Sequence, residues 1–167
     1  MSATITEQAE SGASSPTTNQ ARWFFSNLVR VRLDGSESDG SLDVVEGLGA
    51  RGEMPPLHIH HREDEYFVVL EGELSLHTPG ASRRVAAGEA AYAPRGVPHV
   101  YRVESERARW LGISNPSGFA SFVLAASDPA EAEELPPADR PVDFDRLGAA
   151  ADAHGIEILG PPGTMPG

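Results

Sequence analysis

The chain has 167 residues, enough for one compact domain, and its 40% hydrophobic content supports an ordinary core. A formal net charge of −12 removes the basic footprint that nucleic acid requires and opposes an anionic membrane surface. There is no cysteine, hence no disulfide, thiolate ligand or cysteine nucleophile, and no run approaches the roughly 18 apolar residues of a membrane-spanning helix.

Residues 1–20 are rich in Ser, Thr, Gln and Glu and poor in large apolar groups. Such a segment cannot bury enough surface to offset its ordering entropy, which predicts a disordered arm. It lacks the basic-then-apolar pattern of a secretory leader, so a cytoplasmic protein is expected. Order is expected to begin near Trp23, Phe24 and Phe25. Residues 28–33 alternate in part and read as a strand, and 34–40 form a loop rich in turn residues. A train of short strands follows at 42–48, 57–61, 66–70, 73–77, 83–85, 90–93, 99–103 and 109–113. Gly, Pro or charged breaks separate them, and 78–81 reads as a hairpin turn. Closely spaced strands with 17 glycines and 14 prolines indicate an all-β sandwich or barrel.

The pattern then changes. Asn115-Pro116 reads as a helix start, with Asn as N-cap and Pro at the first helical position, followed by Phe119, Phe122 and Val123 at helical spacing. Asp128-Pro129 repeats the signal, with Glu131, Glu133 and Glu134 in a short acidic turn. Asp143 caps a last helix over 144–154, and Gly155 stops it. Residues 160–167 read as an irregular tail. The expected organisation is therefore an arm over 1–20, a barrel with its following helix over 21–127, and a helical extension with an irregular tail over 128–167.

The residues that carry chemistry lie in two stretches. His58 and His60 are two apart, so on a strand both imidazoles share one face, and Ile59 between them faces the other way. Glu65 begins the next strand and can return to the same point, while His99 must be delivered by the fold. Three imidazoles and one carboxylate form a ligand set for a divalent first-row metal, and an octahedral ion would keep two positions open. Glu63 and Asp64 compete with Glu65, but spacing favours Glu65, and the other two read as solvated loop charges. His61 should point outward, and His77 and His154 read as structural or exposed. Arg83, Arg84, Arg95 and Arg102 read mostly as surface charges. Phe67, Tyr92, Tyr101, Trp110, Phe119 and Phe122 are core by default and are the pool from which a substrate pocket would draw, with Phe119 and Phe122 placed to cap it.

Gly52, His58, His60, Glu65 and Gly72, spaced G-x5-H-x-H-x4-E-x6-G, resemble the first cupin motif at every fixed position. Gly88, Pro94, Gly96 and His99, spaced G-x5-P-x-G-x2-H, resemble the second, which usually closes with Asn where this chain has Val103. The resemblance implies an antiparallel cupin β-barrel or jelly roll, here with short C-terminal helices, and a metal inside its wider mouth. The turn Ser38-Asp39-Gly40 and the segments HIHHREDEYFVVLEGE, NPSGFASFVLAAS and GIEILGPPG are also similar to the quercetinase-like branch. Members of that branch cleave a flavonol's central ring with O2, release carbon monoxide and use a 3-His/1-Glu metal.

Carried over, the resemblance makes His58, His60, Glu65 and His99 the ligands of one divalent metal per chain, with Glu65 also the catalytic base. Ni, Fe, Mn or Co are favoured, and Cu or Zn would also accept these ligands. The expected function is a metal-dependent dioxygenase acting with O2 on a flavonol or similar enolisable aromatic substrate. The first alternative is a non-redox cyclase, isomerase or lyase on a polyketide-like intermediate, and the second a small-molecule binding module. A homodimer is expected, with the strand at 28–33 pairing with a partner's sheet edge.

Overall fold

The computed structural model describes residues 18–167, and the expected disordered arm falls largely outside them. Its last three residues are described, and they are held: the Asn19 N–H donates to Val31 O at 2.8 Å, and Arg32 Nη1 donates to Asn19 Oδ1 at 2.8 Å.

Ten strands come first: β1 Arg22–Phe24, β2 Asn27–Leu33, β3 Asp43–Ala50, β4 Pro56–His60, β5 Asp64–Glu71, β6 Glu73–Thr78, β7 Ala81–Ala86, β8 Ala90–Ala93, β9 Val100–Val103 and β10 Arg107–Asn115. Helix α1 Phe119–Ala126, strand β11 Asp128–Pro129, helix α2 Phe144–His154 and strand β12 Ile156–Pro162 complete the chain. The strands pair antiparallel in three sheets, ordered β11-β1-β2-β3-β10-β5-β8, β12-β4 and β7-β6-β9, and a His58–His99 bridge links the last two. β1 pairs with β2 over Asn27–Val29, and the Asn19 N–H reaches Val31 O, so part of the edge expected to meet a partner is paired within the chain.

The alternation that marked the strands in sequence becomes the two faces of the barrel wall. In β3, Asp43, Val45, Gly47 and Gly49 point inward, and in β10 so do Ala108, Trp110, Gly112 and Ser114. Trp110 sits opposite Gly47, and a Cβ there would lie 2.6 Å from the indole, so this strand position must carry glycine. One core cluster is built entirely from strands and packs Phe67, Val69 and Trp110 against Leu74, Leu76, Val85 and Val103. The other packs Phe24, Val29, Val31 and Val45 against Phe122, Val123, Leu147 and Ile156 from α1, α2 and β12.

Three local expectations are corrected. Helix α1 starts at Phe119, not after Asn115, which stays paired in β10 while its side chain donates to Ser41 O at 2.6 Å. Gly118 is the N-cap and supplies no side chain. Asp43 caps the helix from β3, its Oδ2 accepting from Gly118 N at 2.7 Å and Ala120 N at 3.0 Å.

Asp128-Pro129 starts no helix. The two residues pair with β1 at the sheet edge, where a missing N–H is tolerated, and the Asp128 carboxylate binds Arg140 and Arg146. The tail is ordered into a strand as far as Pro162, because β12 finds β4 as a partner. Helix α2 matches its sequence signals: Asp143 accepts from Arg146 N at 2.9 Å, and Gly155 takes the left-handed conformation at φ 72°.

Candidate metal centre

β4 presents His58 and His60 on one face, toward the cavity, β5 presents Glu65 near its start, and the turn before β9 presents His99. The four ligand atoms lie within 4.8 Å of one another. His60, Glu65 and His99 are almost fully buried, and His58 is partly open to the cavity it lines. Glu65 Oε2 stands 3.1 Å from His99 Nε2 and 3.6 Å from His60 Nε2.

The ring nitrogens facing away from the cluster set the tautomers. His58 Nδ1 lies 2.7 Å from Pro56 O, and His99 Nδ1 lies 3.0 Å from Val97 O. A carbonyl only accepts, so each Nδ1 donates there and each Nε2 is turned inward, that of His99 onto Glu65 Oε2. Neither nitrogen of the buried His60 has a hydrogen-bond partner. Three imidazole nitrogens, one of them unsatisfied, and one buried carboxylate fit a divalent transition metal.

Charge states agree with that fit. Burial pushes the His58 imidazolium down to about 3, aided by His99 and His60, so His58 is neutral. Burial opposes ionisation of Glu65, but the His99 hydrogen bond and the positive charge that His60, His99 and His58 can carry outweigh it and hold the carboxyl at about 2. A neutral imidazole and an ionised carboxylate are the metal-binding forms.

Glu63 is not the solvated loop charge expected from sequence. It is 2% exposed, with Oε2 3.5 Å from His60 Nδ1 and without a hydrogen-bond partner. It tucks under the start of α1, where a Cβ on Gly118 would collide with Glu63 Oε1. The i,i+3 spacing from His60 and the glycine in Asn115-Pro116-Ser117-Gly118 were the available signals. Burial raises the nearby Asp43 carboxyl, with its Gly118 and Ala120 hydrogen bonds opposing and the charges of Glu63 and Glu65 adding. Asp64 does face outward, held by Arg95 through its side chain and its backbone N–H. His61 is exposed beside Glu157, 2.8 Å away, and His77 hydrogen-bonds Ser75 and Ser82. His154 Nδ1 lies 2.8 Å from Ala150 O, one turn back in α2.

The cluster opens into an apolar cavity of about 70 Å³. Phe67, Tyr101, Trp110, Phe119 and Phe122 line it, and the Phe119 ring sits 5.3 Å from that of His60. Tyr92 does not. Its register opposite Tyr66 puts it on the outer face, where it is 50% exposed and stacked on that ring, while its neighbours Ala91 and Ala93 point inward. Sequence reasoning missed Phe24, Phe25, Leu147, Ile156 and Ile158 in the lining. Ile156 and Ile158 pair opposite His60 and His58, so the alternation in Gly155-Ile156-Glu157-Ile158 was the signal for them.

A cupin domain family matches residues 48–114, which hold all four clustered residues. Over 140 residues, 83% of this chain, the sequence is 31% identical to quercetin 2,3-dioxygenase of Bacillus subtilis strain 168, covering 42% of that protein. Over 60 residues it is 37% identical to an uncharacterized protein of Aquifex aeolicus strain VF5, covering 36% of this chain and 50% of that one. The chain thus spans half or less of the length of these curated relatives. The structure of KdgF from Halomonas sp. superposes with a TM-score of 0.50 at 21% identity, covering 55% of this chain and 79% of that one, a likeness of fold. With the family match and both motifs in register, residues 48–114 form a cupin domain.

Proposed function

We propose that the chain is a metal-dependent dioxygenase that uses O2 to open a ring of a flavonol or similar enolisable aromatic compound, with His58, His60, Glu65 and His99 as metal ligands. The observation that carries this reading is the clustering of three imidazoles and one carboxylate at the wall of an otherwise apolar cavity. The similarity to a protein named quercetin 2,3-dioxygenase, extending well beyond the two motifs, supports it.

A divalent ion held there supplies Lewis acidity that favours the ionised form of a vicinal enol-ketone. The chain's own residues do the rest. Glu65, held as an anion, accepts the enol proton at a carboxylate oxygen. Phe67, Trp110, Phe119 and Phe122 hold the flat body of the substrate and exclude water that would reprotonate the enolate before it meets O2. A cavity of 70 Å³ holds about five waters, so its enclosed part suits the enol-ketone ring. Further rings would lie toward half-buried Phe25 and exposed Ile158.

The test is oxygen uptake by protein reconstituted separately with Ni, Fe, Mn, Co, Cu and Zn in the presence of quercetin. Metal-dependent uptake with loss of the flavonol absorbance is expected. Stoichiometric metal binding without uptake for any metal would overturn the dioxygenase reading and favour the non-redox cyclase, isomerase or lyase.

A further inference from the structure

The mechanism leaves two polar side chains of the cavity unused, Tyr101 and Asn27. Tyr101 projects into the lining from β9, with its ring 5.0 Å from Trp110 and 5.8 Å from Phe67. Asn27, 2% exposed, lines the same cavity. Its Nδ2 donates to the Tyr101 hydroxyl oxygen at 2.8 Å and reaches Glu53 Oε1 at 3.4 Å. Glu53 also accepts from the Ser26 hydroxyl. The direction of this chain matters. An amide N–H only donates, so the phenolic oxygen of Tyr101 is the acceptor, and its own O–H remains to be given. The described residues place no acceptor against that proton, in a cavity whose other walls are mostly hydrocarbon. A donor shut in an apolar cavity without an acceptor is costly, and a ligand oxygen would recover that cost.

His99 and Tyr101 stand two residues apart in an extended segment, so both side chains leave the same side of it, and Tyr101 lines the cavity that His58, His60 and Glu65 also line.

Resting on the enol-ketone reading of the metal centre, we infer that Tyr101 is a specificity-determining residue that donates its phenolic hydrogen to a second oxygen of the substrate, across the ring from the enol-ketone. Asn27, itself anchored by Glu53, is the positioning residue that turns the donor toward the ligand. The site then selects compact enol-ketones bearing a hydroxyl, ether or carbonyl oxygen on the far side. It discriminates against analogues that carry only hydrocarbon there, because they leave the Tyr101 proton unpaired.

The test uses the full chain loaded with Zn, which is redox-inert, and reads binding rather than turnover. Two hydroxypyranones serve as probes: kojic acid, with a hydroxymethyl group across the ring, and allomaltol, identical but for a methyl in its place. Loaded wild-type protein is expected to bind kojic acid about tenfold tighter than allomaltol, the size of one hydrogen bond. In Tyr101→Phe the preference is expected to vanish, with Zn content at one ion per chain showing the variant folded and loaded. Asn27→Asp leaves the phenol in place but gives it a carboxylate acceptor, and the same loss of preference is expected. A preference that survives in either variant, or a wild-type protein that binds both probes equally, would overturn the role of Tyr101 and leave the metal-centre reading standing. Binding of neither probe by loaded wild-type protein would overturn the enol-ketone reading, and the role of Tyr101 with it.

Discussion

The two ends of the barrel are built by different rules. The end around Val69, Leu74, Val85 and Val103 is made of strands alone, and these side chains are 0–1% exposed. The end around the cavity adds the two helices, β1, β2 and β12 to the barrel strands that carry Phe67, Tyr101 and Trp110, and several of its apolar side chains face open space instead of one another. The first end spends its hydrophobic surface on closure. The second leaves part of its surface unpaired beside the His58–His60–Glu65–His99 cluster, and so has room for a ligand. Rigidity and function are divided along the barrel axis, and the division can be tested from either side.

The largest effects are expected at the cluster. Glu65→Gln keeps three imidazoles and some metal but removes the base, and a fall in turnover of about 100- to 10,000-fold is expected in steady-state kinetics. His99→Ala removes one of four ligands, and metal analysis is expected to show low content together with loss of turnover.

Stability should then separate the two ends. Leu74→Ala removes a side chain packed on every side, and chemical denaturation is expected to show a loss of about 2–5 kcal/mol with the metal centre retained. Leu147→Ala deletes a side chain that borders the cavity. Fewer contacts are lost there, so a cost of about 2 kcal/mol or less is expected, together with altered ligand affinity. Equal costs would erase the distinction between a closed and an open end.

A smaller effect is expected one layer behind the metal. Glu63→Gln keeps shape but removes the charge facing His60 Nδ1, and competition with a chelator should show metal affinity lowered by about tenfold. The smallest effect is the pH profile. Burial opposes protonation of His60, but facing Glu63 and the charges of Glu65, Glu63 and Asp43 outweigh it and raise its pKa above the ordinary 6.5. His58 and Glu65, at about 3 and about 2, remain in their metal-binding forms well below that. Protons therefore compete first at His60, and metal affinity is expected to fall as pH drops through the range above 6.5 where His60 takes up its proton, and to recover as pH rises. In Glu63→Gln that fall should begin at lower pH.

The same division explains what could be read from the chain beforehand. The closed end announces itself through period-two alternation and turn residues, which are local signals, and β5 through β10 lie close to their expected positions. The metal cluster was legible because two of its ligands share a strand and all four stand at fixed spacings. Helix α2 was legible because its cap Asp143 and its stop Gly155 adjoin it.

The open end depends on contacts distant in sequence. Helix α1 takes its cap from Asp43, 75 residues before Gly118, so the Asn115-Pro116 signal misled. β12 reads as a Gly/Pro tail until β4 supplies a partner. Glu63 reads as a loop charge until α1 covers it. Tyr92 was separable from Tyr101 only once pairing with β5 fixed which face of β8 turns inward.

The central claim is that His58, His60, Glu65 and His99 together hold one metal, and the most direct measurement is metal content after reconstitution and gel filtration, with X-ray absorption to count the ligands. One ion per wild-type chain with three imidazoles in its first shell, and almost none in the His58→Ala/His60→Ala double variant, is expected. Wild-type occupancy in that double variant would contradict the site itself.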